Sequence, residues 1–410
     1  MEIKIGLLGF GTVGVGVYDM LSKNREKVTQ MTQTTLTIEK ILVRNIDKYE
    51  QALAEGMPIT DQIDRIIQDD SIQIVVEVMG SVDIAKDYIS QALKAGKNVV
   101  TANKDLLALH GEELNQLAKE NGKDLLFEAS VAGGIPIIRT LMNHYIGDRI
   151  EEVSGIVNGT TNFMLTQMQE ENKTYAEALK LAQELGYAES DPTGDVAGLD
   201  AARKMVILTK LAFGYRAELE ELEITGITDI ELTDFSAAKE KGYTLKLMSQ
   251  AKAENDQIFI EVAPMLVPLD HQLAGVRNAN NAVVITGEAS GENIYFGPGA
   301  GRLPTANSVV SDITQIAKNI HADETGQISL YTSTNYSKWT QEAAPQDALL
   351  RLKGTEKAVT NFIGKGNENG LKLTSVSSHE DKHYLFVTDA LLSEIKGNVD
   401  VEIEAVYHTI

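Results

Sequence analysis

Residues 3–14, IKIGLLGFGTVG, place three glycines between a short apolar strand and the start of a helix. In this Gly-x-Gly-x-x-Gly pattern, Gly9 permits a tight turn and Gly11 lets backbone N–H groups approach a pyrophosphate. Gly14 lets the helix and the strand pack closely. Glycine-rich turns also have purely structural uses, but this position between a strand and a helix favours a dinucleotide site. The predicted site comprises Gly9, Phe10, Gly11, Thr12, Val13 and Gly14.

The first 130 residues alternate short apolar strands with helical stretches. Strands are predicted at residues 3–8, 37–43, 74–78, 98–101 and 124–128, and helices at 13–22, 83–95 and 111–121. Strands rich in Val and Ile, separated by helices, indicate a parallel sheet with helices on both faces. We therefore predict an α/β Rossmann domain, a doubly wound parallel sheet, over residues 1–130. We expect residues 304–335, with an apolar helix at 308–320, to complete it.

The end of the second predicted strand bears on the choice between NAD and NADP. An NAD-preferring enzyme usually carries an acidic residue there for the ribose hydroxyls. This chain carries Arg44, with Lys48 one turn later, and cations suit the 2′-phosphate of NADP. NADP is therefore favoured over NAD, and the alternative is that Arg44 is a solvated surface charge.

Two further domains are predicted downstream. Residues 131–303 combine longer helices with β segments at 151–157, 257–264 and 281–288, which indicates an α+β domain for substrate binding or dimerisation. A linker at 338–345 precedes strands at 348–353, 371–378, 383–389 and 399–407, with helices at 356–365 and 391–396. This βαββαβ order over residues 346–410 is typical of a ferredoxin-like domain.

The composition of the chain limits the classes of molecule that the protein is expected to bind. The formal net charge of −22 argues against nucleic acid and anionic membranes, which bind clustered Lys and Arg. No apolar run is long enough for a transmembrane helix and the N-terminus lacks the pattern of a signal peptide, so we expect a soluble, cytoplasmic protein with a small-molecule partner. The chain has no cysteine, which excludes disulfides and a thioester intermediate, and its seven histidines show no zinc-ligand spacing.

A helix predicted to begin near Gly198 and to end before Gly214 carries a candidate acid–base pair. Its apolar residues cover almost every face, which predicts a buried helix. Asp200 and Lys204 are four residues apart on one face, where a carboxylate and an ammonium group can meet. The pair is either a structural salt bridge or a proton-transfer site, and the spacing alone leaves both open.

At these residues the chain resembles homoserine dehydrogenase, an NAD(P)-dependent oxidoreductase of amino-acid biosynthesis. The residues 198–204 (GLDAARK) match the helix motif of that family, and the resemblance runs in order over residues 1–330. Other matching segments are 77–80 (EVMG), 101–104 (TANK), 158–162 (NGTTN), 186–192 (GYAESDP) and 297–301 (GPGAG). The resemblance implies the reversible reduction of L-aspartate 4-semialdehyde to L-homoserine, on the route to threonine, methionine and isoleucine.

The resemblance also implies roles for individual residues. Lys204 is the implied proton donor, Lys104 a second lysine near the nicotinamide and the substrate, and Asp200 a residue that binds substrate or orients Lys204. Glu189 is implied to bind the substrate's α-ammonium group. Asn158, Thr160 and Tyr187 are expected to shape the pocket, with packing or turn roles as the alternative. Gly301 is expected to join the cofactor site.

Residues 128–136 (EASVAGGIP) resemble the monovalent-cation loop of the same family. The implied sodium ligands are the backbone carbonyls of Glu128, Val131, Gly133 and Ile135, and the alternative is an ordinary glycine-rich turn. An all-oxygen site of this kind suits a hard cation.

The C-terminal region resembles the ACT regulatory modules found in some family members. An Asp-x-Pro-Gly-type turn is usual there after the first strand, whereas this chain has residues 353–356 (KGTE), which puts threonine feedback in doubt. We expect the monofunctional form, without a fused aspartokinase, as a homodimer or homotetramer.

The sequence also bears on three competing functions. A related amino-acid dehydrogenase would share the Rossmann domain but not the substrate loop and the paired lysines. A non-catalytic nucleotide sensor would not need Lys104, Glu189, Asp200 and Lys204 together. Aspartate-semialdehyde dehydrogenase requires a nucleophilic cysteine, which this chain lacks.

Overall fold

The structure is a computed structural model that describes residues 1–328, 330, 332–333, 336–338, 346–390 and 401–410. Its strands are β1 Glu2–Leu8, β2 Thr35–Leu42, β3 Ile59–Thr60, β4 Ile72–Glu77, β5 Asn98–Thr101, β6 Leu125–Leu126, β7 Ile150–Ile156, β8 Glu223–Ile224, β9 Tyr243–Glu254, β10 Gln257–Pro268, β11 Asn280–Gly287, β12 Gly291–Pro298, β13 Ser337–Lys338, β14 Gln346–Lys353, β15 Lys372–His379, β16 Lys382–Ala390 and β17 Glu402–His408. Its α-helices are α1 Thr12–Lys23, α2 Arg25–Thr32, α3 Glu50–Ala54, α4 Asp64–Ile67, α5 Asp83–Lys94, α6 Lys104–Glu120, α7 Ile138–Asn143, α8 Gly159–Glu171, α9 Tyr175–Glu184, α10 Thr193–Val196, α11 Leu199–Phe213, α12 Leu232–Glu240, α13 Arg302–Ala322 and α14 Glu356–Glu368.

The chain divides into two compact units. The first unit comprises Met1–Asp148, Val206–Arg216 and Tyr295–Thr332. The second comprises Arg149–Met205, Ala217–Ile294 and Ser333–Ile410. The range 346–410, predicted as a domain of its own, has its described residues in the second unit, and it too stays a prediction as a separate domain. The domain boundaries near 130 and 303 therefore stay predictions.

The first unit is built on a parallel sheet in the order β3-β2-β1-β4-β5-β6. Strand order reverses between β1 and β4, as in the dinucleotide-binding doubly wound fold, so the predicted Rossmann-type sheet is confirmed. The core is made by the alternating apolar residues of β1 together with α13, whose Val309, Ile313 and Ile316 are fully buried. Within this unit α13 packs against α1.

Two helices of this unit begin earlier in the chain than the sequence predicts. The predicted helix at 111–121 begins at Lys104 instead, and Gly111 is an interior residue. The predicted helix at 308–320 begins at Arg302. Pro304 lies in its first turn, where the missing N–H costs nothing because no intrahelical acceptor exists there. The helix α2 was not predicted, since only Thr32 of its eight residues is buried and it has no apolar stripe.

A second sheet is mixed and mainly antiparallel, in the order β12-β11-β7-β9-β10-β13, with β8 paired to β10. It fits the predicted α+β class. Four of its strands, β8, β9, β12 and β13, were not predicted. The strand β9 carries the buried polar residues Lys246, Ser249 and Gln250, which interrupt the apolar pattern by which strands are recognised.

A smaller antiparallel sheet in the second unit has the order β15-β16-β14-β17. The helix α14 packs on β15 and supplies Val359 and Phe362 to its core. The four strands correspond to those predicted for the βαββαβ segment. The second predicted helix, at 391–396, and most of the predicted linker at 338–345 lie outside the described residues. Within the part of the chain that the structure describes, no helix is both long and apolar enough to cross a membrane.

Candidate active site

The glycine turn of the first unit has the geometry that the sequence predicts. Gly9 follows β1 with a φ of 101°, a conformation that L side chains rarely adopt, and its N–H donates to the carbonyl of Leu42 at 3.0 Å. A Cβ on Gly14 would lie 2.2 Å from the Gly9 carbonyl oxygen. A Cβ on Gly11, in contrast, would meet no protein atom within 4 Å. Gly9 and Gly14 are therefore required by backbone conformation and packing, while Gly11 borders open space.

That open space is a groove of about 1110 Å³ at the carboxyl ends of β1, β2 and β4. The residues that line it are Gly9, Phe10, Gly11, Leu42, Val43, Arg44, Asn45, Ile46, Asp47, Lys48, Tyr49, Asp61, Val78, Met79, Ser81, Ile84 and Tyr88. The Tyr49 hydroxyl donates to the carbonyl of Phe10 at 3.1 Å. This bond connects the wall of the groove that contains Tyr49 to the glycine turn. Arg44 and Lys48 are exposed on the groove, but two carboxylates, Asp47 and Asp61, line it as well.

Lys104 is the first residue of α6. The preceding residue, Asn103, caps the helix because its side-chain oxygen accepts the N–H of Leu106 at 3.1 Å. The Lys104 ammonium group lies 3.8 Å from the carboxylate of Asp105, and its side chain is 30% exposed. The cap fixes the start of α6, and it therefore determines the position from which the Lys104 side chain extends.

In the second unit, Asn158, Asp200 and Lys204 form one hydrogen-bonded cluster. The Lys204 Nζ donates to Asp200 Oδ2 and to the carbonyl of Val157, both at 2.7 Å. The Asn158 amide donates to the same Asp200 oxygen at 2.8 Å, while its own oxygen caps α8 by accepting the N–H of Thr161 at 2.8 Å. The side chains of Lys204 and Asp200 are only 12% and 14% exposed. The predicted contact between them is present.

Asp195 joins this cluster and was not among the predicted residues. Its Oδ1 accepts the second amide hydrogen of Asn158 at 2.7 Å. Burial raises its pKa above the ordinary value, as does the negative charge of Asp200, while the hydrogen bond from Asn158 lowers it. The signal in the sequence was weak, because Asp195 is 37 residues from Asn158 along the chain. Two carboxylates thus accept from one asparagine, and one of them, Asp200, also accepts from Lys204.

Thr160 and Tyr187 connect the start of α8 to the loop that follows α9. The Thr160 hydroxyl donates to the Tyr187 carbonyl at 2.6 Å, and the Tyr187 ring lies 4.8 Å from that of Phe163. Glu189, two residues later, is exposed, and its carbonyl accepts from the Gln183 side chain at 3.0 Å. The loop that carries Glu189 is therefore fastened next to Asn158, which precedes Thr160 by two residues.

The segment 128–135 of the first unit is buried and sharply bent. Ala132 and Gly133 have positive φ angles of 52° and 44°. The Glu128 carboxylate accepts the N–H groups of Ile138 and Arg139, at 2.9 and 2.8 Å, and burial raises its pKa. The carbonyl of Gly133 accepts the Ser308 hydroxyl at 2.6 Å. Gly301, in the same unit, is the N-cap residue of α13 and has a φ of 121°.

Two family models match this chain. The model described as "Homoserine dehydrogenase, NAD binding domain" matches residues 9–128, and the model described as "Homoserine dehydrogenase" matches residues 136–314. The chain is 48% identical to the homoserine dehydrogenase of Bacillus subtilis, over 79% of this chain and 75% of that protein. The chain belongs to the homoserine dehydrogenase family. The Lactococcus lactis homoserine dehydrogenase is 44% identical over 85% of this chain and 81% of that protein.

Solved homoserine dehydrogenases have the same fold. The Thiobacillus denitrificans enzyme superposes with a TM-score of 0.92 at 33% identity, covering 100% of this chain and 98% of that chain. A hyperthermophilic archaeal homoserine dehydrogenase in complex with NADPH superposes with a TM-score of 0.66 at 29% identity, over 77% of this chain and 98% of that chain. As a homoserine dehydrogenase family member, the chain is an NAD(P)-dependent oxidoreductase, which confirms the predicted enzyme class.

Proposed function

We propose that this chain reduces L-aspartate 4-semialdehyde reversibly to L-homoserine with NAD(P)H, and that Lys204 is the proton donor and acceptor. The observation that carries the role of Lys204 is the cluster in which Asp200 and the Val157 carbonyl hold its ammonium group, while Asn158 holds Asp200. The family assignment supports the reaction, and the roles of the individual residues are our own proposal.

Lys204 is suited to proton transfer by its hydrogen bonds. An ammonium group has three hydrogens, and Asp200 and the Val157 carbonyl account for two of them. The third is available to a substrate oxygen. In reduction, Lys204 stabilises the developing alkoxide and then protonates it; in oxidation, it removes the hydroxyl proton. Asp200 orients Lys204 and balances its charge.

The charges around Lys204 suit an amino-acid substrate. Asp195 and Asp200 both lie within hydrogen-bonding distance of Asn158, so two carboxylates face one ammonium group. A substrate that carries an α-ammonium group would balance the excess negative charge. We assign Glu189 to that ammonium group, with Tyr187 and Thr160 shaping the loop around it. Lys104 is assigned to the nicotinamide and the substrate.

The first unit fits an NAD(P) cofactor, which supplies or accepts the hydride when bound. The open space beside Gly11 and the N-terminus of α1 suit a pyrophosphate. Arg44, together with Lys48, suits a 2′-phosphate, and on this ground we favour NADP over NAD. Thr12, Val13 and Gly301 complete the proposed cofactor residues.

A sodium ion is proposed for the segment 128–135. The positive φ angles of Ala132 and Gly133 curve the backbone, and a Cβ on Gly133 would lie 2.4 Å from the carbonyl oxygen of Gly299. The ligands would be the carbonyls of Glu128, Val131, Gly133 and Ile135, of which that of Gly133 already accepts one hydrogen bond from Ser308. A bound cation would stabilise this bend and take no part in the reaction.

Several features of the whole protein stay proposals. The antiparallel order of β14 to β17 supports an ACT-like module at 346–410, but threonine feedback is not part of the proposal because the usual turn is replaced by residues 353–356. We propose a homodimer or a homotetramer and a cytoplasmic location. Light scattering after size-exclusion chromatography would measure the oligomeric state.

The first experiment follows absorbance at 340 nm while the protein oxidises L-homoserine with NADP and then with NAD. Lys204→Ala is expected to lower kcat by about 100-fold or more, because it removes the proton acceptor. NADPH binding, measured by fluorescence, is expected to persist. Lys210→Ala is the matched control on the same helix, since Lys210 pairs with Glu112 and has no assigned role in the reaction.

Three results would each contradict a part of this proposal. The reaction would be wrong if wild type binds NADPH but does not oxidise homoserine with either cofactor. The role of Lys204 would be wrong if Lys204→Ala turned over like Lys210→Ala. A higher kcat/KM for NAD than for NADP would overturn the assignment of Arg44.

A further inference from the structure

Glu77 is a fully buried carboxylate that the proposed mechanism does not use. It is the last residue of β4, and it lies at the carboxyl edge of the parallel sheet, where strand order reverses. A carboxylate removed from water is costly unless several donors satisfy it. An apolar side chain would fill the same space without that cost, so the hydrogen bonds of Glu77 indicate what the carboxylate does.

The donors to Glu77 come from two segments, the loop after β4 and the end of β5 with the loop that follows it. From the loop after β4, the N–H of Met79 donates to Oε1 at 2.7 Å. From the end of β5, the hydroxyl of Thr101, the last residue of that strand, donates to Oε2 at 2.6 Å. Burial raises the pKa of Glu77, while these bonds, with further ones from Gly80 and Asn103, lower it. One side chain therefore connects the two loops.

Each of these loops leads to a proposed functional element. Val78, Met79 and Ser81 line the dinucleotide groove. Thr101 Oγ1 accepts the N–H of Asn103 at 3.1 Å, and Asn103 caps the helix that begins at Lys104. The Asn103 amide also donates to the carbonyl of Ser81 at 2.7 Å, which closes the connection between the loops.

We propose that Glu77 is a positioning residue, which holds Lys104 in register with the wall of the dinucleotide groove through Thr101 and Asn103. This inference rests on the proposed function, because it concerns the placement of a lysine assigned to that reaction. Glu77 does not touch the reacting atoms. Its loss changes the position of Lys104 relative to residues 78–81, and a shift of that kind lowers the rate of the chemical step.

The test compares Glu77→Gln with Asp124→Asn. Asp124 is another fully buried carboxylate of the same unit, but it lies at the amino edge of the sheet, where it accepts from Asn319 at 2.7 Å and from the N–H of Gly326 at 2.8 Å. A glutamine at position 77 presents one acceptor oxygen and one donor NH2 group. It therefore cannot accept from Met79 on one atom and from Thr101 on the other, as the carboxylate does. Both substitutions replace a buried carboxylate by an amide, and only one of them lies beside the groove.

Three measurements are made on the full chain. Hydrogen exchange is expected to rise in residues 78–81 and 101–107 for Glu77→Gln and in neither segment for Asp124→Asn. The kcat for homoserine oxidation is expected to fall at least about tenfold for Glu77→Gln and to stay within about twofold for Asp124→Asn. The Tm of both variants separates a loss of folded protein from a loss of rate.

A second pair of variants tests the connection without changing Glu77. Thr101→Val removes the hydroxyl that joins Glu77 to Asn103 and is expected to lower kcat in the same way. Thr101→Ser keeps the hydroxyl and is expected to retain most of the activity. These two variants remain informative if Glu77→Gln does not fold.

The outcomes separate this inference from the proposed function. Faster exchange in both loops with an unchanged kcat would overturn the positioning role and leave Glu77 a structural residue. Unchanged exchange in Glu77→Gln would overturn the connection itself. If wild type did not oxidise homoserine, the proposed reaction would fail, while the exchange data would still decide whether Glu77 holds the two loops together.

Discussion

At the scale of single residues, Lys246 is the buried cation with the clearest consequence for pH. Its side chain on β9 is 2% exposed, and Nζ donates to the Val276 carbonyl at 2.6 Å and to Asn162 Oδ1 at 3.2 Å. Burial lowers its pKa from 10.5 to about 8, with Arg277 acting in the same direction and Glu170 in the opposite one. The folded protein therefore binds this proton less tightly than the unfolded chain does.

The sign of the pH effect follows from that difference. Between pH 8 and 10.5 the unfolded chain keeps the proton that the folded protein has lost, so the free energy of unfolding rises with pH. The expected contribution is on the order of 3 kcal/mol. Urea denaturation at pH 7.5 and pH 10 would measure it in wild type and in Lys246→Met, which cannot titrate. Lys180→Met, at an exposed position of α9, serves as the control. Equal pH dependence in wild type and Lys246→Met would contradict the assignment.

At the scale of elements, the turn from β1 to α1 separates packing from binding. Gly11 borders open space, so Gly11→Ala is expected to leave the Tm within about 2 °C of wild type. The added methyl group enters the space proposed for the pyrophosphate, and NADPH binding is expected to weaken by about tenfold or more. Gly14→Ala places a Cβ against the Gly9 carbonyl and is expected to cost about 1–3 kcal/mol of folding free energy.

The two glycine variants act as controls for each other. Fluorescence titration with NADPH and thermal unfolding are both measured on each protein. If Gly11→Ala bound NADPH as tightly as wild type, the proposed placement of the pyrophosphate at this turn would be wrong. If Gly14→Ala had the Tm of wild type, α1 would be able to move aside for the added methyl group without a loss of folding free energy.

At the scale of the whole molecule, a buried ionic junction joins the C-terminal sheet to the helix α12 within the second unit. Asp234 is fully buried and accepts from Arg351 at 2.6 Å, from the Tyr407 hydroxyl at 2.7 Å and from the Tyr384 hydroxyl at 2.9 Å. Burial, together with the charge of Asp234, raises the pKa of both tyrosines, so they remain donors at neutral pH. Three strands, β14, β16 and β17, meet this one carboxylate.

Removing one partner of such a junction leaves a buried charge without compensation. Asp234→Ala is expected to lower the free energy of unfolding by about 3–5 kcal/mol and to expose the C-terminal sheet to limited proteolysis. The double variant Asp234→Ala with Arg351→Met is expected to lose less than the sum of the two single variants. Glu368→Ala, at the exposed end of α14, is the control. Additive losses would mean that the two residues are not coupled.

Much of the architecture follows from local patterns. The alternation of apolar strands and helices predicted the parallel sheet of the first unit, and the strand at 98–101 has the same bounds in the structure. Prediction failed where burial and polarity disagree. The strand β9 carries buried polar side chains, and α2 is a polar helix with one buried residue, so neither displays the periodicity on which such predictions depend.

By itself, the sequence determined the glycine turn, the Rossmann-type sheet and the meeting of Asp200 with Lys204, because each is predicted by a pattern among residues close together along the chain. Only the tertiary structure brought Asp195 to Asn158, joined the loops after β4 and β5 through Glu77, and gathered three strands around Asp234. These contacts join residues 24 to 173 positions apart. No periodicity or spacing encodes them, since they exist only when burial forces distant polar groups to satisfy one another.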